Sequence, residues 1–177
     1  MLLDKTSLRS NYNKFLSPIW LHSLIASSSL LLLVAAFYLE YVEGLEPCPL
    51  CMLQRIVFFF VAILCLVSVL KRSSNCSKKY AYGIIALAII GACLSVRHLY
   101  LQSLPYEELP PCLPGLTYMI DTFPLLDIMQ AMVMGTGECG DILWTFLGLS
   151  IPGWTLVAFV SIAIGNILLV INLKSLM

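Results

Sequence analysis

Residues 46 to 55 read EPCPLCMLQR, which places Cys48 and Cys51 three positions apart with Pro49 between them and Arg55 four residues further on. Such a pair can clip a metal, staple a fold or cycle between dithiol and disulfide. Proline favours the first helical position, where its missing N–H is one the helix leaves unbonded anyway. Pro49 therefore predicts that Cys48 caps a helix and that Cys51 sits in its first turn. Residues three apart on such a turn bring their Cα atoms to about 5 Å, within the span of a disulfide. The helix N-terminus carries roughly half a positive charge and favours a thiolate. Arg55 shares the helix face of Cys51, and an arginine just inside an apolar run is costly enough to point to a function. The plainer alternative is that it snorkels to lipid headgroups.

The elements that must position these residues are membrane helices. Hydrophobic residues make up 60% of the 177 and charged residues 11%, whereas a soluble domain carries about 25% charge. Four apolar runs, about 19–39, 52–70, 80–101 and 151–173, reach the roughly 20 residues needed to cross a hydrocarbon core. The first is too long for the apolar segment of a cleaved signal and is expected to remain as a helix. Lys5, Arg9, Lys14, Lys71, Arg72, Lys78, Lys79 and Lys174 fall in the three segments that the positive-inside rule assigns to the cytoplasm. Nine of the ten acids fall on the other side. The expected architecture is an all-α, four-helix transmembrane bundle, one domain over 1–177, with both termini cytoplasmic and outer loops at about 40–51 and 102–150. Net charge is zero, so nothing marks a nucleic-acid partner.

In the long loop, Leu125, Leu126, Ile128, Met129, Met132 and Val133 recur at helical spacing, as in a short helix lying at the headgroups or packed on neighbouring protein. Trp20 near the inner boundary, and Trp144 and Trp154 near the outer one, suit interfacial belts. His22 reads as a boundary residue of the first span rather than a haem or metal ligand, although a neutral imidazole there could also hydrogen-bond between helices. Gly137, Gly140, Gly148 and Gly153 read as turn and helix-boundary residues.

Topology sorts the seven cysteines. Cys48, Cys51, Cys112 and Cys139 fall on the outer side or its boundary, Cys65 and Cys93 within spans, and Cys76 in a cytoplasmic loop. Disulfides persist outside the cytosol, and four cysteines permit three pairings. Structural zinc sites usually show two close cysteine pairs, whereas Cys112 and Cys139 are 27 positions apart; no metal is expected. The remaining three cysteines read as small apolar residues.

Four stretches in order, PCPLCMLQR, RHLYLQ from Arg97, PCLPGLTYM around Cys112 and GECGDILWTFLGLSIPGWTL around Cys139, resemble the DsbB family over about residues 15 to 173. These are quinone-coupled, disulfide-generating proteins of the bacterial inner membrane. The resemblance implies that the loop pair Cys112 and Cys139 faces a periplasmic thioredoxin-fold oxidase of the DsbA type, and that Cys48 and Cys51 exchange electrons with ubiquinone or menaquinone. It implies that the reduced partner attacks Cys112, that the released Cys139 engages Cys48, and that Cys51 is left as a thiolate beside the quinone. Arg55 matches the family's quinone-site arginine, and His98 and Gln102 match positions near the same pocket. Arg97 is expected to join Arg55 in a polar wall for the quinone head. Two other classes are weighed against this reading. A quinone reductase of the vitamin K epoxide reductase type has its CxxC late in the bundle, the reverse of the order here. A non-enzymatic scaffold with structural disulfides or metal leaves Arg55 unexplained.

Overall fold

The computed structural model describes residues 17–45, 47–71, 74–111, 124–142 and 144–175. Helices α1 (Pro18–Tyr41), α2 (Pro49–Lys71), α3 (Ser74–Ser103) and α5 (Ile151–Ser175) are the long elements, and a short α4 (Leu125–Met134) lies between the last two. The four long helices are apolar and long enough to cross a membrane. At about 1.5 Å per residue, even the 23-residue α2 exceeds the roughly 30 Å of hydrocarbon. Each helix outruns its apolar segment, because backbone hydrogen bonding continues into the polar boundary; α2 begins at Pro49, three residues before the apolar run. Leu31, Val34, Phe59, Phe60, Ile89 and Ile90 point outward, as lipid-facing side chains must.

Packing runs from α1 to α2, α2 to α3 and α3 to α5, while α1 and α5 touch only sparingly. Ile25, Phe58, Val61, Ile84, Ala88 and Phe159 form the central core. The rings of Phe58 and Phe159 stack at 4.2 Å. Gly91 admits that ring to α3, since a Cβ there would lie 2.5 Å from it. His22, expected at a boundary, is instead fully buried. Its Nδ1 is 2.8 Å from Ser68 Oγ, and its Nε2 is 3.1 Å from Asn166 Oδ1. These are the hydrogen bonds between helices that the sequence allowed for: a ring with two polar nitrogens inside a bundle must find partners on neighbouring helices, and α2 and α5 each offer one.

Glu40, Glu43, Glu107, Glu108, Glu138 and Asp141 belong to segments at the end of the bundle where α1 and α3 finish and α2 and α5 begin. Lys71, Lys78 and Lys79 lie at the other end, as the charge rule requires. Within the acidic end, α4 buries Ile128 and leaves Leu126, Met129 and Val133 exposed, so it packs on protein by one side and offers apolar side chains on the other. A two-residue hairpin, β1 (Thr145–Phe146) and β2 (Leu149–Ser150), pairs Thr145 with Ser150 and Phe146 with Leu149. Leu147 and Gly148 turn it at φ 52° and 79°, the backbone that matches strand twist in a two-residue turn. Trp154 Nε1 donates to Phe146 O at 3.0 Å and ties the hairpin to α5.

Candidate functional site

Pro49 starts α2, and Met52 N–H donates to Cys48 O at 3.1 Å, so Cys48 occupies the cap and Cys51 the first turn. Their sulfurs stand 3.3 Å apart. His98, buried near the end of α3, brings Nε2 to 3.7 Å from Cys48 Sγ and Nδ1 to 4.0 Å from Cys51 Sγ. The imidazole therefore contacts both sulfurs of the pair.

Cys139 reaches the same place from the long loop. α4 ends at Gly135, whose φ of 79° turns the chain back over α2 and α3. A Cβ at Gly135 would lie 2.4 Å from Leu101 Cδ1 and 3.0 Å from Leu50 Cδ1, so the close approach requires glycine. The 3-10 turn Gly137–Gly140 follows, with Cys139 N–H donating to Thr136 O at 2.9 Å. Cys139 is fully buried against Cys48, Leu50 and Leu101. Its thiol is pushed above the ordinary cysteine range, first by its hydrogen bond with Cys48 and then by burial; backbone hydrogen bonds from Thr136 and Leu50 oppose this. Three sulfurs and one imidazole thus converge, with the first turn of α2 beneath them.

This cluster can pass a disulfide between pairs, because a thiolate needs only contact with the sulfur it attacks. His98 can take or return the proton. The donor atoms of Cys48, Cys51 and His98 also lie within 4.8 Å of one another, which suits a soft metal when the thiols are reduced. A Cys48–Cys51 disulfide removes two of those three ligands.

Beside the sulfurs lies a cavity of about 480 Å³, in the range of small-molecule sites. Apolar side chains of α1 and α5 wall it, and Cys51, Gln54, Arg55, His98, Gln102 and Thr155 contribute its polar lining. Arg55 is held by α1: its guanidinium pairs with the Glu40 carboxylate, donates from Nη2 to Ala36 O at 3.0 Å, and sits 5.4 Å from the centre of the Phe37 ring. Gln102 Oε1 accepts from Ser150 Oγ at 2.7 Å.

Arg97 does not join Arg55 in a polar wall. It is turned from the cavity, donates from Nε and Nη2 to Met134 O at 3.3 and 3.0 Å, and lies 5.5 Å from the centre of the Tyr100 ring. One residue on from Arg97, a helix has rotated about 100°; with His98 facing the sulfurs, Arg97 meets the carbonyl-bearing end of α4. Cys112 lies outside the described residues. Sequence reasoning passed over Glu40 and Gln54. An acid at a span end close to an intramembrane arginine was the available signal for Glu40, and a polar side chain inside an apolar run was the signal for Gln54.

Residues 18–169 match the family described as "Disulfide bond formation protein DsbB". The chain belongs to the DsbB family. A Disulfide bond formation protein B of Hahella chejuensis is 51% identical over 126 residues, covering 71% of this chain and 76% of the relative. That of Saccharophagus degradans is 46% identical over 133 residues, 74% and 80% of the two chains. A Disulfide bond formation protein B 1 of Pseudomonas aeruginosa is 36% identical over 146 residues, 82% and 90%. Family and spans together make this DsbB-family chain a multi-pass inner-membrane protein and a disulfide-forming oxidoreductase, which sets aside the non-enzymatic scaffold.

Proposed function

We propose that the chain re-oxidises a periplasmic thioredoxin-fold dithiol oxidase of the DsbA type and delivers the electrons to membrane quinone, its redox loops facing the periplasm. A thiolate of the reduced partner attacks Cys112 in a Cys112–Cys139 disulfide and releases Cys139. Cys139 attacks Cys48 and breaks the Cys48–Cys51 bond, leaving Cys51 as a thiolate. The partner's second thiol then attacks the mixed disulfide, which oxidises the partner and frees Cys112. Cys112 regains Cys139, and Cys48 rejoins Cys51 as two electrons and two protons convert quinone to quinol. The sum is partner dithiol plus quinone giving partner disulfide plus quinol.

The observation that carries this reading is the convergence of Cys139, Cys48, Cys51 and His98 at the edge of a largely apolar cavity that Arg55 lines. His98 serves as proton carrier, and Arg55 offers positive charge to the Cys51 thiolate or the reduced quinone oxygen. Gln102 is a polar wall of the same chamber. Ubiquinone and menaquinone share the apolar ring and paired oxygens that the cavity suits. In the test, purified protein and quinone oxidise a reduced DsbA-type partner; Cys112→Ser abolishes turnover, and Cys139→Ser, incubated with the oxidised partner, traps a mixed disulfide because the free Cys112 thiolate opens the partner's disulfide and no Cys139 is there to displace it. Full turnover by Cys51→Ala would sink the assignment.

A further inference from the structure

Gln54 lies one turn into α2 beyond Cys51, is 3% exposed, and contributes to the cavity wall. Its Oε1 accepts from Thr155 Oγ1 at 2.8 Å. Its Nε2 has no partner; among the described residues the other buried side-chain atom in that condition is Ser29 Oγ, which is not part of the cavity wall. Folded proteins seldom leave a buried amide donor unbonded, so one at the wall of a ligand-sized chamber points to something that enters. Nearby, Arg55 is already engaged by Glu40 and by Ala36 O.

Resting on the quinone reading above, we propose that the Gln54 amide, backed by Thr155, hydrogen-bonds a ring oxygen of the quinone. The oxidised ring offers carbonyl acceptors, and Nε2 supplies a donor. The reduced ring offers hydroxyl donors, and the amide rotated end for end presents Oε1 instead. Thr155 supports both orientations. Its Oγ1 lies 2.8 Å from Gln54 Oε1 and 2.9 Å from Pro152 O, so its hydrogen can go to the amide or to the carbonyl. In the second case the oxygen accepts from Nε2. Ser95 Oγ on α3 lies 3.1 Å from Thr155 Oγ1 and 2.9 Å from Gly91 O, and its single hydrogen can go to either oxygen. One side chain thereby holds substrate and product with bonds of opposite direction, and no buried partner is orphaned in either state.

The experiment uses the purified full chain with a reduced DsbA-type partner and a short-chain ubiquinone analogue. Gln54→Met keeps the volume and removes the amide. It is expected to raise the apparent KM for the quinone about tenfold, the weight of roughly one hydrogen bond, with a smaller change in kcat and a melting temperature no lower than that of the unaltered protein, since an orphaned donor has been removed. The infrared carbonyl stretch of bound, isotope-labelled quinone moves towards its unbonded position in the same variant. Thr155→Val, which removes the backing hydroxyl at constant shape, raises KM several-fold and serves as the measure if Gln54→Met does not fold. A KM within twofold of the unaltered protein, or a lowered melting temperature with KM unchanged, overturns the proposal and leaves Gln54 a structural amide. Failure of the unaltered protein to reduce quinone overturns the underlying reading, and this inference with it.

Discussion

Cys139 is held as a thiol. The hydrogen bond with Cys48 is the first cause and burial the second, so removing the Cys48 sulfur should bring the Cys139 titration down towards an ordinary cysteine, near 8.5. In the reduced protein, site-resolved alkylation of Cys139 as a function of pH should show its midpoint at lower pH in Cys48→Ala; an unmoved midpoint means that burial governs. The sign is that of a neutral form favoured by the fold. Cys139 contributes stability that is fully present below the unfolded value and lost as pH climbs towards the raised folded one. At this scale the sequence was partly legible. Cys48, Cys51 and Arg55 lie on one helical face, and spacing alone aligns them. That His98 touches the pair depends on how α3 packs, across 50 positions of sequence. That Gln54 Nε2 lacks a partner is a property of its surroundings, which no spacing records.

Between elements, the decisive joint is Gly135. Its positive φ and its closeness to Leu50 and Leu101 let the segment after α4 lie on the start of α2. Gly135→Ala combines a strained backbone with an overpacked contact and should cost about 1–3 kcal/mol. The turn carrying Cys139 should also lift away. A thermal melt and the yield of the Cys139–Cys48 cross-link measure the two effects; an unchanged cross-link yield would show that the turn is seated by other contacts. The spans were readable to within a few residues because their signal is continuous apolar length, and α4 because its apolar residues recur at helical spacing. The hairpin was not. Its turn is Leu147-Gly148 rather than the asparagine–glycine or aspartate–glycine pair that marks such turns in sequence.

Across the whole molecule, His22 fastens α1 to both α2 and α5 far from the sulfurs. His22→Leu leaves Ser68 and Asn166 without that partner and should lower stability by about 1–2 kcal/mol, read from unfolding in a titration of denaturing detergent. An unchanged midpoint would show that the two partners find others. Charge segregation made it readable which helix ends share a side of the bundle, but the sparing contact between α1 and α5 was not, because it depends on which apolar faces meet and every face here is apolar.

That sparing contact fixes how a reactant arrives. Leu32 and Ala35 of α1 and Val157 of α5 are cavity-wall residues that are also exposed on the lipid-facing flank of their helices. The chamber wall thus reaches the outward-facing flank of the bundle, from which a lipid-dissolved molecule could enter. A molecule dissolved in the bilayer reaches it by diffusion in two dimensions, and the concentration that governs its capture is the number of molecules per unit area of membrane. If the reactant is the quinone proposed above, lipid added without quinone slows turnover as a diluent does in solution, although nothing in the surrounding water has changed.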